Sequence, residues 1–162
     1  MNIVVGVADM KVSQNPNDTL VTYSLGSCVG IAVYDPVVRA GGLLHVMLPE
    51  ASMDAEKARL RPFMFTDSGI SALFKSMYEL GSVKQRMKVV VAGGSRILDD
   101  KGFFNIGTRN YIAVRKIFKR NHVVIVHEDV GGNFNRTMKL DIKTGRISIV
   151  TSKSGVQTIA CA

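Results

Sequence analysis

The sequence of 162 residues contains no tryptophan, four prolines and two cysteines. Two cysteines, Cys28 and Cys161, are too few for a disulfide framework, which favours a reducing compartment. No apolar run approaches the roughly 20 residues of a membrane-spanning helix. The first residues also lack the basic and apolar segments of a secretion signal. These absences predict a cytoplasmic protein that does not insert into a membrane.

The chain also lacks repeats and linkers rich in proline or serine. Its length and its hydrophobic content of 46% predict one domain over residues 1–162 with its own core. The net charge, 21 − 13 = +8, favours acidic partners. The basic residues are dispersed, and no zinc-finger spacing or RNA-binding signature accompanies them. We therefore expect a monomer that does not bind nucleic acid.

Most of the chain has the composition of short β-strands, rich in Val and Ile and bounded by Gly, Pro, Asn or Asp. Gly145 predicts a hairpin between the last two strands. Strands outnumber helices and occur in consecutive runs, which favours an α+β fold over a doubly wound parallel sheet. The predicted strands are 3–8, 19–24, 28–34, 42–48, 87–92, 123–127, 137–142 and 146–151.

Apolar residues at helical spacing predict one helix over 69–80. Asp67 or Ser68 would cap its start, and Gly81 would end it. The preceding stretch, 50–61, is polar and without a clear apolar stripe, so we expect it to be at most weakly helical and mobile.

A second helix is predicted over 109–120. Thr108 would cap its first turn, and Asn121 would end it in a left-handed conformation. Tyr111 and Val114 begin its apolar stripe. The fold class predicted from all these elements is therefore a strand-rich α+β domain with two main helices.

Cys28 follows Leu25-Gly26-Ser27 at the start of a predicted strand. A free thiol has a pKa near ~8.5, so a nucleophilic Cys28 needs a base at neutral pH. The backbone N–H groups of Ser27 and Cys28 could stabilise an oxyanion, and Gly30 could leave room for a substrate. The alternative is that Cys28 packs in the core as a small apolar residue.

His45 is the candidate base for Cys28. It lies in an apolar strand, where residues at alternate positions share a face. The 17 positions between the two residues suffice for two adjacent strands, so contact between them is plausible. The alternative is a core histidine bonded to a backbone carbonyl.

The remaining candidates are weaker. His122 and His127 are rival bases but fit surface roles, and Cys161 lies at an end where chains fray. No close pair of ligands predicts a zinc site. The Gly-rich segments at 92–95 and 131–133 match no nucleotide-binding motif and fit tight turns. We therefore expect neither a metal nor a cofactor.

Five blocks of the sequence, taken in order, together form a recognisable pattern. The blocks are Thr22-Tyr23-Ser24-Leu25-Gly26-Ser27-Cys28-Val29, Gly42-Leu43-Leu44-His45-Val46-Met47-Leu48-Pro49, Ala92-Gly93-Gly94, Asn105-Ile106-Gly107-Thr108-Arg109-Asn110 and Glu128-Asp129-Val130-Gly131-Gly132-Asn133. They resemble the CheD family of bacterial chemoreceptor glutamine deamidases, and the similarity covers nearly the whole chain. One departure is Asn135, which stands before Arg136 where the family usually has Gly or Ala.

This resemblance implies a catalytic Cys28, His45 and Thr22 on an α/β/β layered fold. It implies a reaction that converts glutamine to glutamate on chemoreceptor cytoplasmic helices, with hydrolysis of glutamyl methyl esters by the same site. It also implies a CheC-type phosphatase as a partner. The alternative function is a non-catalytic adaptor that binds the phosphatase and receptors. The role of Thr22 follows from the resemblance alone.

Overall fold

The computed structural model describes residues 1–96 and 105–161. Within them, ten strands form two five-stranded sheets, and three α-helices complete the secondary structure together with short 3-10 turns. The predicted α+β class is confirmed. No helix in the described ranges has both the length and the apolar character needed to cross a bilayer.

One sheet, called the central sheet, lies between the helices and the second sheet, which is called the outer sheet. The outer sheet has the order β1-β3-β8-β9-β10, and the central sheet has the order β2-β5-β4-β6-β7. The outer strands are β1 (Asn2–Val4), β3 (Thr19–Leu25), β8 (Arg136–Asp141), β9 (Arg146–Thr151) and β10 (Gly155–Ala160). The central strands are β2 (Asp9–Ser13), β4 (Val29–Asp35), β5 (Ala40–Val46), β6 (Lys88–Gly93) and β7 (Ile125–Val130).

Side-chain alternation along the central strands produces two cores. In β4, Val29, Ile31 and Val33 pack against the helices, whereas Ala32 and Tyr34 pack against the outer sheet. The helices α2 (Thr66–Glu79) and α3 (Ile106–Arg120) cover one face of the central sheet. The layers are therefore helices, central sheet and outer sheet, which is the predicted α/β/β arrangement.

Two strands were missed by the prediction. β2 and β10 are edge strands with polar sequences, DMKVS and GVQTIA. Their pairing is set by hydrogen bonds to β5 and β9 rather than by local composition. Gly145 has φ +72° between β8 and β9, so the predicted hairpin is confirmed.

The predicted caps of the first main helix are wrong. α2 begins at Thr66, after Phe65, which provides no side-chain cap. Asp67 instead accepts hydrogen bonds from the N–H groups of Ala51 and Ser68. Gly81, with φ +92°, follows the helix as predicted.

The predicted limits of the second helix need a similar correction. α3 begins three residues earlier than predicted, at Ile106, so Thr108 lies inside the helix. Asn121 has φ −98°, and the left-handed residue is the next one, His122, with φ +57°. The polar stretch before α2 contains a six-residue helix, α1 (Ala55–Leu60), which the carboxylate of Asp54 caps.

Candidate active site

Strands β4 and β5 bring Cys28 and His45 to the same face of the central sheet. The strands pair antiparallel, with Gly30 opposite His45 and Val29 opposite Val46. Cys28 immediately precedes β4, and it is therefore the diagonal neighbour of His45, at a spacing that side chains can bridge. Cys28 is partly buried against the core between the sheets, on the side that His45 faces. The prediction of two adjacent strands is confirmed.

His45 is fully buried between the two sheets. Its Nδ1 lies 2.7 Å from Oγ1 of Thr22, which projects from β3 of the outer sheet. The single hydroxyl hydrogen of Thr22 is donated to the carbonyl oxygen of Val5, also at 2.7 Å. Oγ1 can then only accept from His45, so Nδ1 carries the ring hydrogen. This arrangement leaves Nε2 as the unprotonated nitrogen.

The free nitrogen of His45 is available for proton transfer. Nε2 is buried and makes no hydrogen bond within the part of the chain that the structure describes. A buried nitrogen with an unused lone pair can take a proton from a thiol or a water molecule that enters the site. Thr22 thus places the basic nitrogen, which is the role of the third member of a catalytic triad.

Burial holds both groups in their neutral forms. It lowers the pKa of His45 from 6.5 to about 4, and the nearby Asp9 carboxylate opposes that change only in part. Asp9 is the residue paired with His45 on β2. Burial also raises the pKa of the Cys28 thiol. At neutral pH the resting pair is therefore a thiol and a neutral imidazole, and the thiolate forms only when the proton moves.

The loop that carries Cys28 is anchored through its carbonyl groups. The oxygens of Gly26 and Cys28 accept from the N–H groups of Ser95 and Gly94, at 2.8 and 2.9 Å. The oxygen of Ser27 accepts from the side-chain amide of Asn110 on α3, at 3.0 Å. Three consecutive carbonyls therefore point into the protein, towards β6 and α3.

The opposite side of this loop presents N–H groups. In a trans peptide the N–H of one residue points away from the carbonyl of the residue before it. The described peptides are trans, so the N–H groups of Ser27 and Cys28 point away from β6 and α3. No backbone carbonyl among the described residues accepts a hydrogen bond from either group. They can stabilise an oxyanion that forms beside the sulfur.

Two glycines allow this close packing. A Cβ on Gly93, whose φ is +115°, would lie 2.2 Å from the carbonyl oxygen of Cys28. A Cβ on Gly107 in α3 would lie 2.3 Å from the carbonyl oxygen of Ser95. Only glycine fits at either position without moving the backbone. The Gly-rich segment at 92–95 is the end of β6 and the residues that follow it, not the predicted tight turn, and it supports the Cys28 loop.

Gly30 does not provide the space for substrate that the sequence suggested. A Cβ there would lie 2.8 Å from a methyl carbon of Leu25 and 3.1 Å from the sulfur of Met138. The ends of two core side chains, and not an open site, therefore fill the space beside Gly30. The prediction for Gly30 is corrected.

The other candidate residues lie apart from this cluster. His127 is on edge strand β7, and its ring contacts Gln157. Cys161 is buried, and its N–H bonds to the Gly145 oxygen, so this part of the chain does not fray as expected. Within residues 1–96 and 105–161, no three His, Cys, Asp or Glu side chains are grouped to hold a metal ion.

Asn135 is accommodated at the surface. Its side chain is exposed beside a cleft of about 590 Å³ that Ser24 and Ser152 also line. The next residue, Arg136, is buried and donates to Ser95 Oγ at 2.8 Å and to Asp129 at 3.1 Å. The departure at Asn135 therefore leaves the buried contacts of Arg136 in place.

Two residues of the site have no individual signal in the sequence. Val5 contributes only a carbonyl oxygen, which any residue could supply. Asn110 lies in a block that resembles the family, but nothing in its local sequence indicates that it reaches the Cys28 loop. Both contacts join segments that are far apart in the chain, 17 and 83 residues for Thr22–Val5 and Asn110–Ser27.

The fold and this cluster define a layered α+β protein in which a partly buried cysteine lies on the same sheet face as a buried His–Thr pair. Residues 47–151 match the family model described as "CheD chemotactic sensory transduction". The three side chains of the cluster precede that segment, but similarity to individual relatives extends over more than nine-tenths of the chain. The chain belongs to the CheD family.

Several relatives are similar over almost their whole length. A protein of Syntrophus aciditrophicus named "Probable chemoreceptor glutamine deamidase CheD 1" is 52% identical over 93% of this chain and 94% of its own. A Solibacter usitatus protein named "Probable chemoreceptor glutamine deamidase CheD" is 42% identical over 90% of this chain and 86% of its own. The corresponding "CheD 2" of Anaeromyxobacter dehalogenans is 39% identical over 91% and 92%.

Proposed function

We propose that this protein is a protein-glutamine deamidase that converts glutamine side chains on the cytoplasmic helices of chemoreceptors to glutamate. The names of its relatives supply the substrate class. The observation that carries the chemistry is the bond between His45 Nδ1 and Thr22, which leaves Nε2 unprotonated on the face of the central sheet that Cys28 shares. Cys28, His45 and Thr22 are the proposed catalytic residues.

The first half of the reaction forms an acyl-enzyme. His45 Nε2 takes the proton of the Cys28 thiol as the sulfur attacks the carboxamide carbon. The N–H groups of Ser27 and Cys28 stabilise the negative oxygen of the tetrahedral intermediate. Protonated His45 then donates its proton to the departing nitrogen, and ammonia leaves while a thioester remains.

The second half regenerates the enzyme. His45 takes a proton from water, whose oxygen attacks the thioester carbon, and the proton then returns to the sulfur as the bond breaks. Glutamate and the free thiol of Cys28 are the products. A glutamyl methyl ester would give the same thioester with release of methanol, so the site would also hydrolyse that ester. No cofactor takes part in this scheme.

The neutral resting state suits this reaction. A buried imidazole whose pKa is about 4 is unprotonated throughout the physiological range, so it is always ready to accept a proton. The thiol, whose pKa burial raises, is kept protonated until a substrate arrives. The sulfur then becomes nucleophilic only during attack, which protects it from side reactions.

The setting of this activity is also part of the proposal. The protein acts in the cytoplasm as a monomer, with residues 1–162 forming one deamidase domain. A CheC-type phosphatase binds it where the cell has one. The net charge of +8 supports docking to acidic receptor helices, because complementary charge speeds encounter and aids selection of partners.

The test is conversion of a purified chemoreceptor cytoplasmic fragment, read by mass spectrometry of tryptic peptides. The wild-type protein should convert specific glutamines, and Cys28→Ala should abolish conversion while leaving the circular dichroism spectrum unchanged. Cys161→Ala is the matched control, because Cys161 is the other free thiol and is buried away from His45. It should retain activity.

Two outcomes would overturn the proposal. Undiminished conversion by Cys28→Ala would exclude the nucleophile. A wild-type protein that binds the receptor fragment or the phosphatase without modifying any glutamine would indicate the adaptor function instead.

A further inference from the structure

Asn110 is a fully buried polar residue in the second turn of α3. Its amide nitrogen donates to two carbonyl oxygens, that of Ser27 at 3.0 Å and that of Met47 at 2.9 Å. Ser27 immediately precedes the candidate nucleophile, and Met47 lies two residues after His45. One side chain therefore joins the loop of the proposed nucleophile to the end of the strand that carries the proposed base.

The orientation of this amide is fixed by its partners. Rotating the group by half a turn would place Oδ1 about 3 Å from two carbonyl oxygens, which cannot donate a hydrogen bond. Both amide hydrogens are therefore used, one for each segment. Asparagine is a poor helix former, so its place in the second turn needs a tertiary reason, and these two bonds supply it.

The bond to Ser27 controls the direction of one particular N–H group. The carbonyl of Ser27 and the N–H of Cys28 belong to the same peptide plane, in which they point in opposite directions. Holding the carbonyl towards α3 turns the N–H of Cys28 to the other side, towards the sulfur. The bond from Asn110 to the carbonyl restricts rotation of the whole peptide plane, and the N–H group is held with it.

We propose that Asn110 is a positioning residue for the reaction, which orients the Cys28 N–H towards the developing oxyanion and keeps that loop in register with the strand of His45. It does not touch the substrate or exchange a proton. Its contribution appears when the tetrahedral intermediate forms, because the oxyanion exists only then. This inference rests on the proposed deamidation.

The test separates reactivity of the sulfur from stabilisation of the oxyanion. For Asn110→Ala, we expect the kcat of receptor-fragment deamidation to fall about 10- to 100-fold, with KM within about threefold. Alkylation of Cys28 by iodoacetamide forms no oxyanion, so its rate should stay within about twofold of wild type. Asn110→Asp removes the same donors with almost no change in volume and should lose kcat similarly.

The matched control is Asn121→Asp. Asn121 follows the last residue of the same helix, and its amide donates to the Ile117 oxygen at 2.8 Å, far from the site. This variant makes the same chemical change at the exposed end of α3 and should leave kcat unchanged. Melting temperatures of all variants show whether a loss of kcat reflects unfolding.

Three results would overturn the inference. They are an unchanged kcat in both Asn110 variants, a rise in KM that accounts for the whole loss, and a fall in alkylation rate parallel to the fall in kcat. The last would assign Asn110 to general support of the loop. If Asn110→Ala does not fold, Asn110→Leu, which fills the same space without a donor or a charge, decides.

A second readout keeps this inference separate from the proposed function. If the wild-type protein converts no receptor glutamine, the proposed function fails, but the effect of Asn110 on the Cys28 loop can still be measured. The N–H groups of Gly94 and Ser95 bond to the carbonyl oxygens of Cys28 and Gly26, on either side of Ser27. Hydrogen exchange of these two amides should be at least tenfold faster in Asn110→Ala than in Asn121→Asp, and equal exchange would show that Asn110 does not hold this loop.

Discussion

At the scale of single residues, one hydroxyl group determines which nitrogen of His45 can act as a base. Thr22 gives its only hydrogen to the Val5 oxygen and must accept from Nδ1. Without it, the imidazole could place its hydrogen on Nε2 and face the thiol with a donor. The third member of the cluster therefore acts through geometry and tautomer, and it carries no charge of its own.

Thr22→Val tests this role, because it replaces the hydroxyl with a methyl group of similar size. We expect kcat to fall about 100-fold or more, since general base catalysis contributes 10²–10⁴-fold. The unpaired Val5 oxygen and His45 N–H should also lower the free energy of unfolding by about 1–3 kcal/mol. Thr22→Ser keeps the hydroxyl and should retain most of the activity.

Steady-state deamidation and nitrogen NMR of the His45 ring check these expectations together. The ring of the wild type should carry its hydrogen on Nδ1, and the Thr22→Val variant should show a mixture of tautomers. Equal kcat for the valine and serine variants would contradict the role of the hydroxyl.

At the scale of elements, the end of β6 supports the loop of Cys28 through hydrogen bonds and close packing. Gly93 and Gly94 both have positive φ, and Gly94 donates its N–H to the Cys28 oxygen. The chain of Gly93 passes so close to that oxygen that no side chain fits between them. A strand end that looks like an ordinary turn in the sequence is thus part of the active-site scaffold.

Gly93→Ala should therefore lower both the stability and the activity of the protein. The left-handed backbone strains any side chain, and the added Cβ displaces the Cys28 carbonyl, so we expect a loss of at least about 2 kcal/mol in the free energy of unfolding together with a lower kcat. Gly155→Ala is the matched control, because its φ is +68° but no atom lies within 4 Å of the added Cβ.

In the Gly155→Ala control, the free energy of unfolding should fall by only about 1 kcal/mol, and the deamidation activity should be normal. Urea unfolding and deamidation rates provide both measurements. Equal effects of the two substitutions would show that backbone strain alone matters and that Gly93 does not support the nucleophile.

The elements were predicted to different degrees, for physical reasons. β4, β5 and β6 are nearly continuous apolar runs, because both faces of these strands are buried, and their positions were predicted to within two residues. β2 and β10 are stabilised by their neighbours, and their composition does not identify them. The start of α3 was placed late because Thr108 has the composition of a cap, whereas the helix already begins at Ile106, where Gly107 packs against Ser95.

At the scale of the whole molecule, burial of a neutral histidine links stability to pH. The pKa of His45 is about 4 in the folded protein and 6.5 when it is free of the fold. Between these values the unfolded chain binds a proton that the folded protein does not. Stability is therefore complete above pH about 6.5 and falls as pH decreases towards 4, by up to about 3 kcal/mol.

Chemical denaturation at a series of pH values checks this expectation. His45→Gln should show a shallower loss of stability between pH 6.5 and 4 than the wild type, because glutamine does not titrate. His127→Gln is the control, since that ring lies at an exposed edge strand, and it should keep the wild-type dependence. Identical slopes for the wild type and His45→Gln would refute the link.

The sequence by itself determined the strand-rich α+β class and the resemblance to one family, and it led to the expectation that Cys28 and His45 lie on adjacent strands. These features depend on local periodicity and on short motifs, which a linear chain records directly. The tertiary structure decided which nitrogen of His45 is free, which way the N–H of Cys28 points, and what Asn110 holds. Those properties arise from hydrogen bonds between the two sheets and between loop and helix, where residues far apart in the chain meet.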